Sequence, residues 1–168
     1  MTTSQRSERA PTTDHLTASQ RWQPSVPLLA AGSVSIVAGG LIAAVSGLSA
    51  WDHGSWVAAF LVLVTGVAQI GLGLSQAQLA AFAPTVGFTA VECALWNGGC
   101  LAVVAGTLLS NPVTVTIGSA LLVATLGMST FAVRGSGSQP LLLVLYRALL
   151  IVLLVSIPSG TALAWARH

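Results

Sequence analysis

Apolar and polar positions fall into long blocks along this chain, with no single-residue alternation of the kind a half-buried strand shows. Five apolar runs of about 20 to 25 residues are divided by short breakers. The first extends from about Leu28 to Ser49 and is broken by Trp51, Asp52, His53 and Gly54; the second extends from Trp56 to about Ala80 and is broken near Pro84. A third covers about Val86 to Leu109, a fourth Val113 to about Val133, and a fifth begins after Pro140 and ends near Ala164. A helix rises about 1.5 Å per residue, so each run is long enough to cross a hydrocarbon layer about 30 Å thick. Helices also satisfy their own backbone polar groups, which lipid cannot do. The expected fold is therefore all-α: an integral membrane bundle of five transmembrane helices.

Residues 1–24 break this pattern. They are rich in Ser, Thr, Gln, Arg and Pro, show no apolar periodicity, and are expected to form a disordered polar tail. Residues 25–165 then make a single five-helix transmembrane domain. The first apolar run exceeds the roughly 7 to 15 residues of a signal-peptide core, so it is expected to be retained as a span. Five crossings put the two termini on opposite sides. With the N-terminus in the cytoplasm, Arg6, Arg9, Arg21 and Arg134 all stay inside and only Arg167 lies outside, the arrangement favoured by the bias of basic residues towards the cytoplasmic face. Trp22 then marks the inner boundary, and Trp51, Trp56 and Trp165 the outer one.

Composition narrows the function classes. Only 6% of the 168 residues are charged, against roughly 25% in a soluble domain, and 54% are hydrophobic. The net charge of +2 supplies no basic patch for nucleic acid. Cys93 and Cys100 share a helix face but stand about 10.5 Å apart along its axis, too far for a disulfide with each other. The sequence has no GxSxG, HExxH or phosphate-binding glycine loop and no paired catalytic carboxylates, so no enzyme and no cofactor is expected.

Small residues recur at helical spacing. Gly32, Ser35, Gly39, Ala43 and Ser46 share one face of the first run; Gly66, Gln69, Gly73, Gln76 and Ala80 one face of the second; Glu92, Trp96, Gly99, Val103 and Gly106 one face of the third. Such faces let helix backbones approach closely, and Gln69 or Gln76 can hydrogen-bond across the contact. Gly39, Gly40, Ala43, Val45 and Gly47 also align with Gly98, Gly99, Ala102, Val104 and Gly106, which raises the prospect of a duplicated two-helix unit.

Two charges are embedded in apolar runs, Glu92 and Arg147. A charge at the centre of a bilayer costs on the order of 2.5 to 3.5 kcal/mol, so each needs a physical reason. Both lie about 9 Å into helices that start from the same side. An intramembrane ion pair between Glu92 and Arg147 is expected, structural or part of a transport path, with Gln69, Gln76, Asn97 and Tyr146 as polar neighbours. Asp52 and His53 offer a third, loop-based reading as metal ligands, with His168 on the same outer face.

The strings WVAAFLVLVTGVAQ from Trp56, CALWNGGCLAVVAGTLL from Cys93 and LYRALLIVLLVSIPSGTALAW from Leu145 resemble small multi-pass membrane proteins of high-GC Gram-positive bacteria that carry no assigned function. The resemblance implies a location in the cytoplasmic membrane and brings no catalytic residue with it. The expected function is that of a non-enzymatic multi-pass membrane protein, an accessory or assembly factor whose partners are the lipid bilayer and either further copies of itself or another membrane protein. The alternative is a small oligomeric transporter or channel using Glu92 and Arg147.

Overall fold

The computed structural model describes residues 23–49, 51, 53–79 and 85–132, together with positions 144, 147, 148 and 151. Every described element is helical. A short 3-10 turn, Gln23–Ser25, leads into α1 (Val26–Ser49); α2 (Gly54–Leu79), α3 (Val86–Leu108) and α4 (Pro112–Ala132) follow. Their bounds lie within about two residues of the first four apolar runs. Each is long and apolar enough to cross a membrane. Of the expected fifth span, Val144, Arg147, Ala148 and Ile151 are helical and exposed; the rest, including Tyr146 and Pro158, lies outside the described residues.

The turns have local causes. Between α1 and α2 the Trp51 carbonyl accepts from the Gly54 amide at 2.9 Å and the His53 carbonyl from the Val57 amide at 3.0 Å. Thr85 caps α3, its Oγ1 accepting from the Phe88 amide at 3.2 Å. The end of α3 closes with two reversed hydrogen bonds, Asn111 amide to Gly106 carbonyl at 2.7 Å and Ser110 amide to Thr107 carbonyl at 3.3 Å. This is the Schellman pattern, and it places Ser110 at φ 51°, a left-handed position usually taken by glycine. Asn111 Oδ1 then accepts from the Val113 and Thr114 amides at 3.1 and 3.2 Å and starts α4, with Pro112 in the first turn where its missing N–H costs nothing.

The helices pair as two close hairpins. Where α1 meets α2, a Cβ placed on Gly32 would lie 2.9 Å from the Gly66 carbonyl oxygen, and one on Gly39 3.0 Å from that of Ala58. Where α3 meets α4, a Cβ on Gly118 would lie 2.7 Å from the Gly99 oxygen, and one on Gly106 2.7 Å from the Val115 amide. Glycine is therefore required at these points by backbone approach rather than by backbone conformation. The small faces expected of the first three runs are the contact faces, except that the α1 face opens at its end, where Ala43 is exposed.

The proposed duplication does not survive this packing. Gly39 is buried against α2 while Gly40 has nothing near it; in the aligned pair Gly98 is open and Gly99 is buried against α4. Gly47 is open and its counterpart Gly106 is packed. The two sequences present their inward faces one residue out of step, so the aligned glycines do not hold equivalent positions in the packing.

The middle of α2, Leu61–Ala68, runs as a π-helix between α-helical ends. Its hydrogen bonds reach five residues back, and such widened turns re-aim the side chains that follow. Gln69, Leu72, Gly73, Gln76 and Leu79 emerge from it buried. The core lies where α2, α3 and α4 meet, built from Ala68, Leu72, Leu79, Trp96, Cys100, Leu122 and Leu126, with Phe60, Val64 and Val103 against it. The outer surface is apolar as well: Val34, Val37, Leu41, Val45 and Leu48 of α1 are all well exposed. A water-soluble domain rarely leaves so continuous an apolar face open, whereas a bilayer is a suitable solvent for it.

Candidate functional site

A polar centre sits inside this apolar bundle. Glu92, one turn and a half into α3, is fully buried. Gln76 of α2, 1% exposed, presents its amide nitrogen to the carboxylate and donates at 2.7 Å to each of the two oxygens. Ser129 of α4, also fully buried, donates its hydroxyl to Glu92 Oε1. One residue thus comes from each of the three core helices. The arrangement follows from helical spacing, because Glu92, Trp96 and Gly99 stand on the α3 face that the glycine seam holds against α4.

A second polar level lies beside Cys93. Gln69 donates from Nε2 to Cys93 Sγ at 3.3 Å, and Asn97 donates from Nδ2 to the Cys93 carbonyl at 2.8 Å. The Cys93 thiol reaches the Pro27 carbonyl at the start of α1, 3.6 Å away. Both cysteines are free thiols. Polar capacity is left over here: the side-chain carbonyls of Gln69 and Gln76 and the indole N–H of Trp96 are buried without a hydrogen-bond partner. Buried polar atoms normally find partners, and the orphan on Gln76 belongs to the same side chain that holds the Glu92 carboxylate.

The expected ion pair is not the arrangement found. Among the described residues, Glu92 engages Gln76 and Ser129 and no basic side chain, while Arg147 is exposed on its own helix. Gln76 donates to both carboxylate oxygens and Ser129 to one of them. Of the expected neighbours, Gln76 is a direct partner, Gln69 and Asn97 meet at Cys93 one residue on, and Tyr146 lies outside the described residues. Ser129 was not expected from the sequence, and Cys93 was expected only as a thiol unable to pair with Cys100. The available signal was the pair Thr125 and Ser129, small hydroxyl residues four apart in an otherwise apolar run and both fully buried. Of the loop pair, His53 precedes α2 with no side-chain cap bond, and Asp52 lies outside the described residues.

Fold and site together define the class: among the described residues, an all-helical protein with four apolar helices of membrane-spanning length and a carboxylate buried where three of them meet. No protein-family model matches the chain, and no curated protein or solved structure matches it either.

Proposed function

We propose that this chain is a non-enzymatic integral protein of the cytoplasmic membrane, with five spans, a cytoplasmic N-terminus and an external C-terminus, and that it works by packing against a second copy of itself. The observation that carries this reading is the outward side of α1. Gly40 and Gly47 are exposed there with nothing within 4 Å, although Gly32 and Gly39 on the inward side are already used against α2. A glycine inside a helix costs roughly 1 kcal/mol relative to alanine, and in lipid it is repaid when another backbone comes close. The same glycines border a groove of about 720 Å³ whose walls include Ala43, Ser55 and Ala59. A small-residue surface of this kind is complementary to itself under a two-fold axis, which favours a homodimer over an unrelated partner.

The test is size measurement of the detergent-solubilised protein by light scattering corrected for bound detergent. The wild type is expected to be a dimer, and Gly40→Leu with Gly47→Leu a monomer of unchanged helicity. A monomeric wild type overturns the reading. Reporter fusions at the two termini should fall on opposite sides of the membrane. The competing reading is a small oligomeric transporter or channel using Glu92, which is fully buried, and Arg147, which is exposed.

A further inference from the structure

We infer that Glu92 is the binding site of one small monovalent cation, received by the carboxylate together with Gln76 and Ser129. The inference rests on the membrane-spanning reading and is independent of the dimer. A buried carboxylate in hydrocarbon needs either a counter-ion or a bound positive charge, because neutral hydrogen bonds offset only part of the cost of removing it from water. Among the described helices, those packed around Glu92 contain no candidate counter-ion. Residues 26–49, 54–79 and 112–132 include no Asp, Glu, Lys, Arg, His, Cys or Tyr, and on α3 itself the only other titratable groups are the thiols of Cys93 and Cys100.

The surrounding groups suit a cation. Gln76 now turns its nitrogen to the carboxylate at 2.7 Å and leaves its carbonyl oxygen buried without a partner. Turning that amide half a revolution exchanges two groups of nearly the same shape and brings the orphan oxygen to the carboxylate. Two like-charged oxygen sites facing each other are stable only with a positive charge between them. A proton fits directly as a hydrogen bond from carboxyl to amide; Na+ fits with a small withdrawal of the amide, the Ser129 hydroxyl adding a further hard oxygen ligand. Charge sets the valence: a divalent ion on one carboxylate leaves a net positive charge in lipid, and a monovalent one leaves none. The second orphan carbonyl, on Gln69, stands two turns away on the same face of α2.

Infrared spectroscopy of the full chain in detergent micelles reads the carboxylate directly, with Glu92→Gln subtracted to remove Glu8, Asp14 and Asp52. In one arm pH is varied in N-methylglucamine chloride. In the other, NaCl replaces that salt at fixed pH. Conversion of a single carboxylate band to a carboxyl band at a pH well above the ordinary carboxylate range identifies the proton, and conversion only within that range counts against it; a displaced carboxylate band on adding NaCl identifies Na+; either supports the site. Spectra in which wild type and Glu92→Gln respond identically in both arms overturn it. Should Glu92→Gln fail to fold, Ser129→Ala replaces it, and the cation response is expected at about tenfold altered concentration, the value of one hydrogen bond to a charged group. A response that Ser129→Ala leaves in place overturns the assignment. A chain that stays dispersed without detergent removes the membrane reading, whereas a silent Glu92 in a detergent-solubilised chain removes this site alone.

Discussion

The seam between α3 and α4 and the centre around Glu92 lie on one face of the same helix and are held by opposite physics. At the seam, Gly99 and Gly118 bring two backbones together and no polar side chain is involved; at the centre, Glu92, Gln76 and Ser129 are joined by directed hydrogen bonds. Lipid weakens the first kind of contact very little, since it depends on shape and dispersion. The second depends on the low dielectric around it, and a missing partner there leaves a charge exposed to hydrocarbon. The seam supplies adhesion, and the centre specifies which three helices meet and at what level.

Breaking the seam should have the largest effect. Gly118→Leu forces a side chain into the Gly99 carbonyl and the Val103 amide, both backbone atoms that do not yield, and is expected to cost about 3 kcal/mol or more. Unfolding of the purified protein by a denaturing detergent measures it, and a loss below about 1 kcal/mol would show that the hairpin does not depend on this approach. At the centre, Gln76→Leu strips two hydrogen bonds from a buried carboxylate and should cost about 1–3 kcal/mol, while adding Glu92→Leu should recover part of the loss. If the two changes instead add, the residues are not coupled in solution.

The turn that joins the seam's two helices is a smaller lever. Ser110→Gly removes a non-glycine residue from φ 51° and is expected to stabilise by about 1 kcal/mol; Asn111→Ala, which deletes the α4 cap, should destabilise by about the same amount. The smallest effect belongs to Arg147→Ala. An exposed side chain with no partner at Glu92 should change stability by no more than about 0.5 kcal/mol, and a loss comparable to that of Gln76→Leu would restore the ion pair that the sequence suggested.

Much of this molecule was legible before folding because lipid imposes a simple code. An apolar run bounded by Asp52 and His53 or by Asn111 and Pro112 has no option but helix, and glycines at intervals of three and four point to a contact face. The candidate centre was half legible. Glu92 stood out as a charge in an apolar run, and Gln69, Gln76 and Asn97 as its polar company, but depth along a helix does not fix rotation about its axis. Glu92 and Arg147 were matched by depth alone, and among the described residues Glu92 is buried against Gln76 and Ser129 while Arg147 is exposed.

Of the five apolar helices the sequence predicts, it determined the limits of the four described ones and the small faces of the first three, since each of these is decided by the transfer of local segments from water and by spacing along one helix. Tertiary structure alone decided that Gln76 and Ser129 close over Glu92 and that Gly40 and Gly47 remain open. These depend on the rotation of each helix against its neighbours, a quantity set by all the contacts together and written in no single segment.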